Sequence, residues 1–275
     1  MNKKGYFAST GNNQYTQVEG YKTIKQKYDK KQISVLNVGM LTAGIGFLYV
    51  AALGFLLEYL VFNPLLENIA FGNFEDSSAS YIILTLAVIG LTIGSILSLV
   101  WSFRVYKASL AFAITTIFIY TTSYAVGFGS LFSYVNWIYD GLSLIMVAFA
   151  LVGVIFLGTF AISKLISIKS AVTLSKLIFA SFGIALVAFL VVLFWSLFGM
   201  SQEAYRVIIL VTSGISCLLS VLLLAYNLWL AQNMDKFYLP NELNLKVGLF
   251  IGFQILVNLM ILLWSILRIA AAAKR

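Results

Sequence analysis

The stretch LLLAYNLWLAQNM (222–234) places one carboxamide, Asn227, among residues that otherwise suit hydrocarbon. Three serines precede it, Ser213, Ser216 and Ser220, and the spacing of all four residues puts them on one face of a helix. Amides and hydroxyls can hydrogen-bond to a neighbouring helix or ligate a cation weakly through oxygen, but they do not titrate near neutral pH. The pattern therefore predicts one polar face on an apolar helix.

A second polar face follows in the next apolar stretch, where Gln254, Asn258 and Ser265 recur at helical spacing. The connection between the two stretches is short, which predicts antiparallel neighbouring helices. Counted from that connection, Asn227 lies ~14 Å deep, Asn258 ~18 Å and Gln254 ~12 Å. We therefore predict that Asn227 faces Asn258 or Gln254. Hydrogen bonding between helices is the favoured interpretation, and a polar lining for a permeation path is the alternative.

Three charged residues stand near the ends of apolar stretches: Glu58, Asp140 and Arg104. An ionisable group inside a membrane span is by default a candidate functional site. For Glu58 the favoured interpretation is nevertheless that its side chain snorkels to the outer interface. The alternative is that Glu58 and Asp140 attract cations to a vestibule on the outer face.

The remaining composition excludes most catalytic chemistry. Histidine is absent, which rules out histidine-bound zinc, histidine-ligated haem and serine–histidine hydrolases. Cys217 is the single cysteine, so the chain forms no intrachain disulfide. The sequence contains no phosphate-binding loop, dinucleotide fingerprint or cluster of metal ligands. We expect no enzymatic activity, no cofactor and no metal centre.

The elements that carry these residues are membrane spans. Of 275 residues, 61% are hydrophobic and 10% are charged, and the mean hydropathy is +0.96, so lipid must solvate much of the surface. A helix crosses the hydrocarbon with ~20 mostly apolar residues. Seven segments qualify, at 35–62, 81–103, 108–126, 141–163, 174–198, 206–232 and 246–270. The predicted fold class is all-α, a polytopic membrane protein with seven transmembrane helices.

The distribution of charge predicts the orientation. Lysines crowd the tail before the first span, and basic residues recur in alternate connections, at Arg104, Lys107, Lys164, Lys169 and Lys236. Because lysine and arginine favour the cytoplasmic side, the N-terminus is predicted in the cytoplasm and the C-terminus outside. The net charge of +8 then reflects topology rather than nucleic-acid binding, with some attraction of the tail lysines to anionic lipid.

Three regions follow from this pattern: a mobile basic cytoplasmic tail at 1–34, a seven-helix transmembrane domain at 35–270 and a short outer tail at 271–275. Tryptophans near the span ends, Trp101 among them, are interpreted as interface anchors. The composition is rich in lysine, asparagine and phenylalanine. It suggests a bacterium with AT-rich coding, so the expected location is a bacterial plasma membrane.

Glycines within the spans suit close packing of helices in lipid. Gly90 and Gly94 form a GxxxG spacing in the second span, and Gly248 and Gly252 form another in the seventh. Further glycines occur in the first and fourth spans, at Gly39, Gly44, Gly46, Gly153 and Gly158. We predict a packing role for all of them.

The C-terminal third resembles a known family. The residues AYN (225–227) and LVNLMILLWSILRI (256–269) resemble the last two helices of the Bax inhibitor-1 family. That family has Ala-Tyr-Asp in its sixth span, and a Leu-Asp ten residues before Arg-Ile in its seventh. The stretches YTTSYAVGFGSLF (120–132) and VGVIFLGTFAISK (152–164) are similar to its third-to-fourth region and fourth span. The resemblance covers about 108–270.

The resemblance implies a seven-helix bundle with the last helix at its centre and a pH-sensitive calcium leak. In the family, two aspartates on helices six and seven share a proton and gate the path, and a basic residue on helix two is a partner to one of them. Asn227 and Asn258 stand at the aspartate positions here, and Arg104 is the candidate for the basic partner. A pair of amides cannot act as a proton switch, so gating by this pair is not expected.

The expected function is a Bax inhibitor-1-like cation leak, with calcium as a candidate ion. Its path would be lined by Asn227, Asn258, Gln254 and Ser220, with the lipid bilayer and cations as partners and no nucleic acid. Two alternatives remain open. One is a non-conducting membrane scaffold in which the asparagine pair clasps two helices, and the other is a small-molecule transporter or transporter subunit.

Overall fold

The computed structural model describes residues 33–70, 78–139, 142–196, 201–236 and 240–273. Its helices are α1 (Val35–Leu57), a π-helical segment (Glu58–Phe62), α2 (Asn63–Ala70), α3 (Ser78–Phe103), α4 (Leu110–Tyr139), α5 (Leu142–Ser163), α6 (Ile168–Ser196), α7 (Gln202–Met234) and α8 (Asn241–Ala273). The first predicted span corresponds to α1, the π-helical segment and α2 in one continuous helix. The second to seventh spans correspond to α3 to α8.

Seven helices in these ranges are long and apolar enough to cross a membrane. The chain is an all-α, multi-pass membrane protein, as the sequence predicts.

The third span is longer than the predicted 108–126, because α4 continues to Tyr139. Its last turns carry Ser133 and Asn136, which lower the hydropathy but face the interior of the protein. The predicted outer tail also begins later, since α8 extends to Ala273. Most of the predicted cytoplasmic tail (residues 1–32) lies outside the described residues.

The last helix, α8, lies at the centre of the bundle. In its membrane-spanning stretch 67% of the residues are buried in the protein, against at most 28% in any other span. Its most extensive contacts are with α7, followed by α1, and it also touches α4 and α5. The predicted neighbourhood of the sixth and seventh spans is therefore confirmed, and the central last helix agrees with the bundle that the resemblance implies.

Glycines bring α1 within backbone contact of α8. A Cβ atom built onto Gly252 would lie 2.6 Å from the Gly39 carbonyl oxygen and 2.7 Å from Thr42 Cβ. A Cβ atom on Gly248 would lie 2.7 Å from Val38 Cβ. The GxxxG pair of the seventh span thus has the packing role predicted for it, because any side chain there would separate the two helices.

The other glycines divide into two groups. Gly90 of α3 faces Ser123 of α4, and a Cβ on Gly94 would lie 2.9 Å from Tyr120 Cδ2, so this pair also packs as predicted. Gly44, Gly153 and Gly158 do not, since a Cβ atom at each would meet no other atom within 4 Å. For these three the predicted packing role is wrong, because they lie on faces that no helix of the described residues covers.

Trp101 also departs from its predicted role. Its side chain is completely buried, and its ring packs at 5.4 Å from the Phe250 ring and 5.6 Å from the Phe253 ring. It therefore joins α3 to the central helix instead of anchoring α3 in the lipid interface. Trp137, by contrast, is exposed near the end of α4, which suits an interface anchor.

At the predicted cytoplasmic end, the connection after α7 holds the beginning of α1. The carboxylate of Asp235 accepts hydrogen bonds from Ser34 Oγ at 2.8 Å and from the backbone N–H of Val35. Asn244 Nδ2 of α8 donates to the Ile33 carbonyl at 3.0 Å. A carboxylate at a helix N-terminus accepts hydrogen bonds from N–H groups that have no partner within the helix. Its negative charge also interacts favourably with the helix dipole. These bonds fix the beginning of the first span both to the end of the sixth span and to the beginning of the seventh.

Candidate functional site

The first candidate site is built around Glu58, at the point where α1 changes to π-helical geometry. The backbone N–H of Asn63 bonds to the Glu58 carbonyl, five residues earlier, and this widened turn extends over Glu58–Phe62. π-Helical turns inside α-helices occur frequently at functional sites. Here the turn places the side chains of Glu58 and Asn63 on the face that contacts α4.

Glu58 is buried within the protein, with 4% of its surface exposed. Asn136 Nδ2 of α4 donates a hydrogen bond of 3.2 Å to Glu58 Oε1. One turn away, Ser133 Oγ donates to Asn63 Oδ1 at 2.7 Å. The favoured interpretation of the sequence, that Glu58 snorkels to the outer interface, is therefore wrong: the carboxylate turns towards α4.

Two glycines allow this contact. A Cβ atom on Gly129 of α4 would lie 3.0 Å from the Gly54 carbonyl oxygen and 3.0 Å from Leu57 Cβ. A Cβ atom on Gly54 would lie 3.2 Å from the Phe132 ring. The helices consequently meet at backbone distance one turn before Glu58. This approach is what lets the short side chain of Asn136 reach the carboxylate.

No basic residue pairs with Glu58 in the part of the chain that the structure describes. The ion pair present there joins Lys246 to Glu242 at 2.8 Å, near the start of α8. Nor do the described residues hold a group of three or more acidic, histidine or cysteine side chains suited to a tightly bound metal. The site therefore offers a carboxylate, two carboxamides and a hydroxyl, which are the oxygen ligands that Ca²⁺ and other hard cations accept.

The second candidate site, on α7 and α8, faces inward as its spacing predicts. Ser213 and Ser220 are 2% exposed, Asn227 is 9% exposed and Asn258 is 4% exposed, while Gln254 is half-buried. The two helices that carry these residues are in extensive contact. The polar faces thus point into the bundle and not into lipid.

The hydrogen bonds expected across this pair of helices do not form. Among the described residues no hydrogen bond links Asn227 to Asn258 or to Gln254. Ser220 Oγ instead donates to the Ser216 carbonyl of its own helix at 2.8 Å. The prediction that Asn227 is hydrogen-bonded across the interface is therefore wrong, although all three amides lie on the predicted pair of neighbouring helices.

The remaining predicted residues lie elsewhere. Arg104 is exposed in the turn between α3 and α4, where it borders a wide cavity of about 720 Å³ together with Lys107. It therefore lies at the predicted cytoplasmic end, and no acidic residue of the described ranges forms an ion pair with it. Asp140, the second predicted outer attractant, lies outside the described residues.

Sequence reasoning found Glu58 but missed its three polar neighbours. Asn63 follows an apolar run and precedes a proline, and this pattern is typical of the end of a span. Ser133 and Asn136 stand beyond the predicted end of the third span. Their spacing of three residues places both on one helical face, which could have indicated a polar contact. That spacing is informative only if the third span continues to Tyr139, as α4 does.

Comparison with models of protein families, with curated proteins and with solved structures finds no match to this chain.

Proposed function

We propose that this multi-pass membrane protein is a Bax inhibitor-1-like cation leak, with calcium among the ions that pass. In this proposal Glu58 supplies the charge that attracts the ion. Asn227 and Asn258 form a neutral polar part of the path, in place of the family's two aspartates. The membrane would be the plasma membrane of a bacterium.

The observation that carries the proposal is the buried carboxylate of Glu58 without a basic partner among the described residues. Burying an isolated charge is costly, so such a group must take up a proton or a mobile cation. The amide and hydroxyl oxygens of Asn63, Asn136 and Ser133 lie beside it. A single carboxylate with neutral oxygens binds calcium weakly, which suits an ion that passes through and leaves.

The arrangement of α7 and α8 supports the same proposal. The central position of α8 is the one that the resemblance implies for the last helix. Asn227 and Asn258 are buried, yet they make no hydrogen bond to each other. Amides that do not hydrogen-bond to each other can bind water or an ion. In a clasp between the helices, the amides would instead hydrogen-bond to each other.

The test is calcium flux into proteoliposomes that contain the purified protein and an enclosed fluorescent indicator. Glu58→Gln removes the charge but keeps an oxygen that can accept the bond from Asn136, so the fold should persist. We expect the flux to fall about tenfold, because the local concentration of cations depends on the buried charge. Glu67→Gln is the matched control, since Glu67 is exposed on α2, and it should leave the flux unchanged.

Two results would contradict the proposal. If wild-type liposomes equal protein-free liposomes in calcium, sodium and potassium flux, the protein is not a cation leak. If Glu58→Gln and Glu67→Gln lower the flux equally, the buried position of Glu58 has no special role.

A further inference from the structure

A separate cavity of about 240 Å³ lies between α3, α4, α7 and α8, in the half of the bundle that contains the C-terminal end of α8. Its polar lining includes Ser213 and Ser216 from α7 and Ser265 and Arg268 from α8. Leu91, Ile261 and Trp264 provide apolar walls. Cavities that bind small molecules combine apolar walls with a few convergent polar groups in this way.

Arg268 brings a positive charge to this cavity. It forms no ion pair or hydrogen bond with any residue that the structure describes. Arg206, at the same end of the bundle, is different: its Nε donates to the Ala272 carbonyl at 2.7 Å, at the C-terminal end of α8. That guanidinium is satisfied by the end of a helix, where a cation is favourable. The Arg268 guanidinium has no such partner among the described residues and lines the cavity, so it is available to an anion there.

The serine hydroxyls of the cavity are also available. Ser213 is 2% exposed, and its Oγ has no hydrogen-bond partner among the residues that the structure describes. Hydroxyls elsewhere in the bundle, such as those of Thr121 and Ser123, donate at 2.8 Å to a carbonyl one turn earlier in their own helix. This is the usual way for a hydroxyl in an apolar helix to be satisfied. A buried hydroxyl without that bond is costly unless something in the cavity accepts from it.

We propose that this cavity binds an oxyanion, a carboxylate or phosphate group carried on a small apolar body. Arg268 neutralises the charge, since the guanidinium fork matches these groups geometrically. Ser213 donates a hydrogen bond to the same group, and Ser216 and Ser265 add hydroxyl donors beside it. Leu91, Ile261 and Trp264 contact the apolar part of the ligand. The cavity contains none of Glu58, Asn227 and Asn258, the residues of the proposed cation path, and its ligand does not depend on that path.

The first test uses delipidated protein in a neutral detergent and two soluble probes, butyrate and butyl phosphate, with butylammonium as the cationic control. A ligand that binds only the folded state raises the Tm. We expect at least one of the two anions to raise the Tm by about 2–4 °C at saturation, and butylammonium to have no effect. Arg268→Gln should abolish the shift. Arg104→Gln removes a guanidinium from the opposite end and should retain it.

Ser213→Ala separates binding from folding. Without ligand the variant should be at least as stable as the wild type, because it loses a buried hydroxyl that has no partner. It should nevertheless show a smaller shift with the anion. A variant that unfolds earlier without ligand and keeps the full anion shift would contradict the role of this hydroxyl.

The second test distinguishes a lipid from a soluble source of the oxyanion. Wild type and Arg268→Gln are purified from vesicles of equal parts phosphatidylcholine and phosphatidylglycerol, and the retained lipid is measured by native mass spectrometry. Preferential retention of phosphatidylglycerol that Arg268→Gln removes, with no response to the soluble anions, identifies a lipid phosphate as the ligand. A response to the soluble anions alone identifies a small acid. If Arg268→Gln changes neither measurement relative to wild type, the proposal is wrong.

Discussion

Asn136 Nδ2 donates a hydrogen bond of 3.2 Å to Oε1 of Glu58, and this bond joins α4 to the π-helical segment of the first span. The two residues are 78 positions apart in the chain, so only the packing of α1 against α4 brings them together. A bond from an amide to an ionised carboxylate is stronger than one between neutral groups. The position of the buried charge is therefore set by the third span as much as by the first.

Asn136→Ala tests the contribution of this bond to stability. The variant removes the hydrogen bond that Asn136 donates to the buried Glu58 carboxylate, which should lower the free energy of unfolding by about 1–3 kcal/mol. Unfolding in detergent, followed by circular dichroism, measures the loss. Asn37→Ala is the control, since Asn37 is exposed on α1, and it should have no effect. Equal stability of Asn136→Ala and the wild type would show that the carboxylate does not depend on this donor.

Gly252→Ala tests the crossing of α1 and α8. The added methyl would meet the backbone of Gly39 at 2.6 Å, and backbone atoms cannot move aside as a flexible side chain can. The helices must separate, and we expect a loss of about 1–3 kcal/mol from overpacking. Gly153→Ala is the matched control, because a Cβ atom there meets nothing within 4 Å. Each variant adds one methyl group to a helical glycine, so equal stability of the two variants would contradict the close crossing of α1 and α8.

The elements could be predicted from the sequence because the hydrocarbon imposes their length and polarity. The predicted ends of the second, fourth, fifth, sixth and seventh spans lie within three residues of the observed helix ends, and the neighbourhood of α7 and α8 follows from a short connection. The prediction failed where polar residues face protein instead of solvent. Ser133 and Asn136 appeared to end the third span, whereas in the structure they lie inside the bundle on a continuing helix.

For the candidate sites, the sequence predicts which residues share a helical face but not which hydrogen bonds their side chains form. The spacing of Ser213, Ser220 and Asn227 predicted a common buried face, and all three are buried. Hydropathy does not specify which hydroxyl bonds to its own helix, as Ser220 does, and which remains without a partner, as Ser213 does. That difference depends on side-chain rotation and on the neighbouring helix, and neither is encoded by spacing along one chain.

Replacing both Asn227 and Asn258 by leucine distinguishes a path lining from a clasp between helices. Leucine has the same number of side-chain heavy atoms and the same branching as asparagine but no polar group, and the structure contains no hydrogen bond between these amides that the change would break. Replacing buried polar groups by apolar groups of the same shape is close to neutral, so we expect little change in the free energy of unfolding, while calcium flux in proteoliposomes falls. A clear loss of stability with unchanged flux would instead favour the non-conducting scaffold.

Replacing both Asn227 and Asn258 by aspartate tests whether the resemblance carries over to these positions. Two carboxylates in the buried interface of α7 and α8 cannot both be ionised without strong repulsion, so they should share a proton near neutral pH. We expect the double variant to acquire a steep pH dependence of calcium flux between about pH 5 and 8. The amides of the wild type contribute no pH dependence, because neither group titrates.

Asn37→Asp, on the exposed side of α1, is the control for an added charge and should keep the wild-type profile. A double variant whose pH profile equals that of the wild type would mean that Asn227 and Asn258 do not occupy the positions of the family's proton switch. If the wild-type flux itself varies steeply with pH and Asn227→Leu removes that variation, the neutral character assigned to the pair is wrong.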